Sequence, residues 1–358
     1  MLHMKITELN KGLLPEGEVK RELIWLDAAE SVFTVHGVFY DASQGQYVRM
    51  PQSVADATSG MVSGLNRSTS GGRIKFRTDS KCIAIHAVMF NNDELHHTAQ
   101  MEHGFDLCTQ NSFYSRSTFA YGLVPGGTMR RSFSASYATD GEMADFTLHL
   151  PTNGKLYKLY IGLNPDAELL SPTPYKHEKP IVFYGSSITQ GSCASRPANI
   201  YEAIISRHLD TDFVNLGFGG SCLGEKAVVD YIASLDMSVF VCDYDHNAPN
   251  AEYLSKTHLP IYHAVREKHP ELPIVFTSAP NIMPDYTWHI PRREVIRATY
   301  DTAVAEGDRN VYFIDGESFF DIEDRDMCTV DTCHPNDLGM LLIAKKMIPV
   351  LDGILNKR

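Results

Sequence analysis

The sequence predicts two successive folds: an all-β sandwich or jelly roll over residues 1–172, then a parallel α/β domain over residues 178–358. Three features predict this. The first part is a series of short runs rich in β-branched and aromatic residues, cut by Gly, Ser, Asn and Asp clusters. From Lys179 onward, short apolar runs alternate with longer segments of helical spacing. Between the two parts, Ser171–Pro180 (SPTPYKHEKP) holds three prolines and reads as a linker.

In the first part the expected strands include Ser31–Tyr40, Gly72–Arg77 and Lys81–Phe90. Asp145–Pro151, a turn at Asn153–Gly154, and Leu156–Leu163 read as a hairpin. Helical periodicity is scarce there. Many short strands with turn signals favour a sandwich or jelly roll. In the second part the expected strands are Ile181–Tyr184, Phe213–Phe218, Val239–Tyr244, Ile274–Ser278 and Val311–Asp315. The expected helices are Ala198–Leu209, Lys226–Leu235, Ala251–His269, Arg292–Glu306 and Leu338–Leu351. Such alternation implies a parallel sheet covered on both faces.

Composition narrows the function. A hydrophobic fraction of 43% with 25 Gly and 18 Pro is ordinary globular usage. With 32 basic against 44 acidic residues the net charge is −12. A nucleic-acid partner is not expected, because binding it requires a basic excess to displace counterions. An anionic membrane surface is an equally poor partner. Seven cysteines, an odd number without C-x-x-C pairing, argue against a disulfide framework and a zinc ribbon. The opening MLHMKITELNKGLL has neither an apolar signal core nor a small-residue cleavage site. No stretch approaches the ~18 apolar residues of a membrane span. The expected location is cytoplasmic, or extracytoplasmic for a chain whose signal has been removed. No oligomeric state follows from the sequence.

In open α/β sheets, ligands bind outside the carboxyl ends of the strands. Those positions here are polar. The first strand is followed by Gly185-Ser186-Ser187-Ile188-Thr189, the second by Gly217-Phe218-Gly219-Gly220-Ser221, and the third by Asp243-Tyr244-Asp245-His246-Asn247. Asp331-Thr332-Cys333-His334-Pro335 directly precedes the last helix. A serine, a glycine, an asparagine and an Asp-x-x-His pair thus gather on one rim. They are the parts for acyl transfer: nucleophile, oxyanion donors, and a base with its orienting carboxylate.

Tyr184–Gly191 (YGSSITQG) resembles the first block of the SGNH/GDSL hydrolases, and Asn215–Gly220 (NLGFGG) resembles their second. Asn247 stands where the third block supplies its asparagine, and Asp331 and His334 match the Asp-x-x-His of the last. The match spans the C-terminal half, in order. Gly185–Pro197 is similar to a carbohydrate-esterase-like subgroup whose N-terminal β-sandwich carries a Gly-x-Asp-Leu-Tyr motif. Gly104-Phe105-Asp106-Leu107-Cys108 matches that motif with Cys for Tyr. The resemblance implies a flavodoxin-like domain with a five-stranded parallel sheet, preceded by the sandwich.

Expected roles follow. Ser187 is the nucleophile, activated by His334, with Ser186 as the competing assignment. An imidazole can accept and return a proton near neutral pH. Asp331 orients it, and Asp337 is the rival carboxylate, expected in the first turn of the last helix. Ser187 N–H, Gly220 N–H and the Asn247 side chain form the oxyanion hole. Each residue has a plainer use: a tight turn for Ser187 and Gly220, a cap for Asp331 and Asn247. Trp288 and Cys222 are candidates for substrate contact, and both could equally be packing. His96, His97 and His103 fit no standard ligand spacing, so no metal is expected. No organic cofactor is needed either. The expected reaction is hydrolysis of a short acyl ester, with an acetylated sugar or oligosaccharide as the substrate the resemblance implies. An acyltransferase with the same triad and a non-catalytic carbohydrate-binding protein are the alternatives. No long apolar lid segment points to a lipase.

Overall fold

The computed structural model describes residues 3–5, 20, 22–30, 32–90, 99–109, 112–117, 130–280, 287–321, 323 and 325–357. Contacts divide the chain into two units. The first comprises Met1–Arg49, Arg67–Pro174 and Arg196–Ala198, and the second Met50–Asn66, Tyr175–Ser195 and Asn199–Arg358.

Among the described residues the first unit holds two main antiparallel sheets. One has seven strands, in the order His3–Lys5, Glu168–Leu170, Arg73–Thr78, Ala144–His149, Phe105–Thr109 and Ser112–Ser117, with Thr34–His36 also paired to Arg73–Thr78. The other has four: Arg130–Ala138, Cys82–Phe90, Lys155–Leu163 and Ile24–Asp27. Side chains of a strand alternate between its faces. Ile74, Phe76, Phe146 and Leu148 therefore share one core cluster with Ile83, Ile85, Ala87, Met89, Leu159 and Ile161. Phe76 stacks on Phe146 with ring centroids 5.8 Å apart. Asp106, in the Gly-x-Asp-Leu segment, is fully buried. Its carboxylate accepts Ala198 N–H at 2.8 Å and pairs with Arg196 at 3.1 Å.

Three expectations for this half need correction. The segments Ala144–His149 and Lys155–Leu163 are not a hairpin, because they lie in different sheets. The turn at 153–154 carries the chain from one sheet to the other, with Asn153 N–H bound to Met101 O and Gly154 O accepting Thr69 N–H. Ser31 lies outside the described residues, and residues 32–40 of the expected strand form not one strand but parts of two, Thr34–His36 and Phe39–Asp41, because the chain turns at Gly37 with φ of +72°. Helices Gln52–Thr58 and Gly60–Leu65 also occur, each too short to show periodicity. Ser59 caps the second by accepting Val62 N–H, and Ala55 and Val62 join the core of the second unit.

The second unit is a five-stranded parallel sheet. Its strands in chain order are β1 (His177–Gly185), β2 (Thr211–Gly217), β3 (Val239–Asp243), β4 (Ile274–Thr277) and β5 (Val311–Ile314). In space they run β2-β1-β3-β4-β5, the flavodoxin-like order. The helices are α1 (Ser187–Gln190), α2 (Tyr201–Leu209), α3 (Lys226–Ser234), α4 (Ala251–Lys268), α5 (His289–Ala305) and α6 (Asp337–Leu355). The near-continuous apolar strands reflect burial on both faces. Val182, Tyr184, Phe240, Cys242 and Phe276 pack with α3, α4 and α5. Ile181, Phe183, Val239, Val241 and Val275 pack with α2 and α6. Gly185 pairs with both Gly217 and Asp243, so the carboxyl ends of β1, β2 and β3 are level. That is the switch point of the strand order, where α/β sheets place their ligands.

Candidate active site

Three loops leave this level edge together. After β1, Ser186 caps α1, its Oγ accepting Ile188 N–H at 3.2 Å. Ser187 is the first residue of α1 and is 8% exposed. Its Oγ lies 2.9 Å from His334 Nε2. His334 Nδ1 lies 2.7 Å from Asp331 Oδ2. The carboxylate also accepts the backbone N–H of His334 at 2.7 Å and of Cys333 at 3.0 Å, both on Oδ1. A carboxylate facing Nδ1 makes that nitrogen the donor, so Nε2 is free to accept the Ser187 proton. Partial burial pushes Asp331 upward, but the bonds from His334 and Cys333 outweigh it and hold the carboxyl below its ordinary value. Asp337, the rival carboxylate, faces Ser195 and Asn199 rather than the imidazole.

After β2 the chain passes directly against the serine. A methyl group on Gly219 would stand 3.3 Å from Ser187 Cβ. Gly219 N–H is held by Gln190 Oε1 at 2.8 Å, and Ser221 N–H by Phe218 O at 3.0 Å. Gly220, between them, is exposed and left-handed with φ of +65°. After β3, Asn247 accepts Cys222 N–H on Oδ1 at 3.3 Å. With its oxygen engaged, this amide has only Nδ2–H to offer an incoming group.

Buried polar side chains tie the loops from below. Thr189 Oγ1 donates to Asp243 Oδ2 at 2.8 Å, and Tyr201 OH donates to Thr189 Oγ1 at 3.2 Å. Asn215 donates to Thr189 O and to Glu202 Oε1, and accepts Gly217 N–H at 2.9 Å. Burial drives Asp243 up to about 6 against the two hydroxyl bonds. Asp245 reaches about 7 for the same reason, with Ala279 N–H on Oδ2 opposing it. These supporting residues escaped the sequence reading. Thr189, Gln190, Asn215 and Asp243 all sit inside the blocks quoted above, and that position was the available signal.

Trp288 precedes α5 and is half-buried. The Arg292 guanidinium lies 3.8 Å from its ring centroid, and the His246 ring meets it edge-on at 5.2 Å. His246 Nε2 lies 3.1 Å from Cys333 Sγ, so Trp288 is linked to the loop bearing His334. Burial holds His246 down at about 4, which keeps it neutral. The Cys222 thiol is 1% exposed within the core, and only its backbone N–H reaches the site. His103 ends a short helix and is 8% exposed, while His96 and His97 lie outside the described residues. Among the described residues no cluster of His, Cys, Asp or Glu is placed to hold a metal. None of their helices is long and apolar enough to cross a membrane.

Residues 178–352 match the model of the GDSL-like lipase/acylhydrolase family. Residues 23–169 match the GxDLY model, the N-terminus of SGNH-hydrolase-type esterases. A comparison with curated proteins finds no match. Among solved structures, a protein described as a GDSL-like lipase from Bacteroides ovatus is 26% identical, covering 94% of this chain and 99% of its own, with a TM-score of 0.79. A salicylyl-acyltransferase from a tetracycline biosynthetic pathway is 19% identical, covering 95% and 100%, with a TM-score of 0.78. An acetyl xylan esterase from the rumen bacterium Butyrivibrio proteoclasticus is 13% identical, covering 93% and 98%, with a TM-score of 0.59.

Proposed function

Because the chain belongs to the SGNH/GDSL hydrolases, with a GDSL-like lipase/acylhydrolase domain behind a GxDLY domain, we propose that it is a serine esterase acting on short acyl esters of carbohydrates. The observation that carries this reading is the chain Ser187 Oγ, His334 Nε2, His334 Nδ1, Asp331 Oδ2, with links of 2.9 and 2.7 Å. Ser187 Oγ attacks the ester carbonyl while its proton passes to His334 Nε2. The carbonyl oxygen takes up the negative charge and is held by the N–H groups of Ser187 and Gly220 and by Asn247 Nδ2. The C–O bond to the alcohol breaks, and His334 returns the proton to the leaving alkoxide. Water then attacks the acyl-serine, giving its proton to His334, and Ser187 departs with that proton restored. Asp331 holds the imidazole tautomer and stabilises the imidazolium formed at each step.

The acyl group we propose is acetyl, on a sugar or oligosaccharide. The likeness to an acetyl xylan esterase and to other carbohydrate esterases supports the choice of substrate class. Hydrolysis of p-nitrophenyl acetate, butyrate and octanoate by wild type and Ser187→Ala tests it, followed by acetylated xylo-oligosaccharides. We expect activity that declines with chain length and falls at least ~10³-fold in the variant. Undiminished activity in folded Ser187→Ala would remove Ser187 as nucleophile. A rate of ester consumption that rises with added sugar, with the sugar ester as product, would replace hydrolysis by acyl transfer.

A further inference from the structure

In the sheet, β1 and β5 are separated by β3 and β4. At about 4.8 Å per strand, their ends lie about 14 Å apart. Ser187 follows β1 directly, whereas His334 comes twenty residues after β5 ends at Ile314. The sheet therefore does not set the distance between Ser187 and His334. The anchoring of their loops does.

Asp337, the first residue of α6, accepts three hydrogen bonds from the segment that follows Ser187. Ser195 N–H donates to Oδ1 at 2.7 Å, Ser195 Oγ–H to Oδ2 at 2.5 Å, and Asn199 Nδ2–H to Oδ2 at 2.9 Å. Both ends of this tie are stiff. Ser192 N–H binds the carbonyl of Ser187 itself at 2.9 Å, and Ala194 N–H binds Gly191 O at 3.3 Å, so Ser195 is built outward from Ser187 by local backbone bonds. On the other side Asp337 stands three residues beyond His334. Asn336 caps α6 through Leu338 and Gly339 N–H. Asn336 N–H to Cys328 O at 2.9 Å and Val330 N–H to His334 O at 3.1 Å close the loop that carries the imidazole.

We propose that Asp337 is a positioning residue: its carboxylate fixes the histidine loop against the serine loop and so maintains the Ser187–His334 hydrogen bond. This rests on the reading of Ser187 and His334 as nucleophile and base. Asp337 touches no reacting atom. Its loss lets His334 drift from Ser187, and displacement of about 1 Å at a reacting pair costs on the order of a hundredfold in rate. Because the carboxylate and Ser195 lie near the surface, their removal leaves both core clusters of this unit intact.

The test compares wild type, Ser187→Ala, Asp337→Ala, Asp337→Asn and Ser195→Ala. It measures p-nitrophenyl acetate hydrolysis and the rate at which a fluorophosphonate labels Ser187, well below each melting temperature. We expect Asp337→Ala to lower kcat about tenfold or more with KM within about twofold, and to slow labelling in parallel. Asp337→Asn keeps one acceptor oxygen and should recover part of the rate. Ser195→Ala keeps its backbone donor, so its loss should be smaller, about threefold. Should Asp337→Ala fail to fold, Asp337→Asn and Ser195→Ala decide the matter by the same split. Wild-type kcat and labelling in the Asp337 and Ser195 variants, beside an inactive Ser187→Ala, would overturn this role alone. An active Ser187→Ala would overturn the reading of the site itself.

Discussion

The backbone N–H of Cys222 and the side-chain oxygen of Asn247 form a 3.3 Å hydrogen bond that joins the loops following β2 and β3. The bond fixes which end of the amide is which. With Oδ1 turned to Cys222, Nδ2–H is the end left to bind charge developing on a substrate oxygen. The residue that carries this N–H is buried in the core of the unit.

Asn247→Ala is the direct consequence. In the proposed mechanism Asn247 is one of three oxyanion donors, and removing one costs about 3 kcal/mol of transition-state stabilisation, which corresponds to a kcat roughly 10²-fold lower. KM should change little, because the charge that Asn247 meets develops only during the reaction. Asn247→Asp should be as poor, since a carboxylate offers no donor. Steady-state kinetics on p-nitrophenyl acetate check both.

The glycines after β2 should respond to substitution in opposite ways. At Gly217 a Cβ would meet the backbone of Thr189 and Gln190 at 2.2–2.7 Å, so Gly217→Ala must push α1 away. At Gly220 nothing lies within 4 Å, and the only cost is the left-handed φ of +65°. For an alanine that strain is about 1–2 kcal/mol, and the N–H remains in place. Gly220→Ala should therefore keep kcat within a few-fold, while Gly217→Ala loses most activity or fails to fold. Parallel assays and thermal melts of the two variants check this.

Arg292 supplies a longer-range support. It donates to Ala248 O at 2.9 Å and Pro249 O at 3.1 Å, just past Asn247, while stacking on Trp288. It is 5% exposed. Arg292→Met would leave these carbonyls without their charged donor, at about 1–3 kcal/mol for each one that stays buried. The expected result is a melting temperature several degrees lower and a kcat reduced further than the stability loss explains. Retention of wild-type kcat at low temperature would show that the Asn247 loop holds its shape without this arginine.

How much of this was legible in the sequence depends on contact range. The five parallel strands and their order along the chain follow from local alternation, and Asp331 and His334 sit three residues apart, so both could be read directly. The partition of Ala144–His149 and Lys155–Leu163 between two sheets could not, because adjacent strands joined by a Gly turn look like a hairpin from either side. Arg292 reaches carbonyls more than forty residues upstream. Asp337 reaches Ser195 across 142 positions. Neither leaves a periodic or spaced signature: Asp337 is one acidic residue in the first turn of a helix, where acidic residues are common, and Arg292 is one polar residue within another helix.

Asp245 gives the pH prediction. Burial raises its carboxyl from the ordinary 3.8 to about 7, with Arg292 and the Ala279 N–H working against the shift. The folded protein thus favours the protonated form. Relative stability is greatest below about pH 4 and is lost as pH rises through 7, by an amount on the order of 4 kcal/mol. Asp245→Asn removes this titration while keeping an acceptor for Ala279 N–H. His246 and His258, held neutral at about 4 and about 3 by burial, titrate alike in both proteins and cancel from the comparison. Asp243, raised to about 6 by burial, repels the ionised Asp245 carboxylate, and losing that repulsion in Asp245→Asn shifts the comparison in the same direction. The melting temperature of Asp245→Asn minus that of wild type should therefore widen in favour of the variant between pH 5 and pH 8. A difference that stays constant across that range would mean that Asp245 is ionised in the folded protein throughout it.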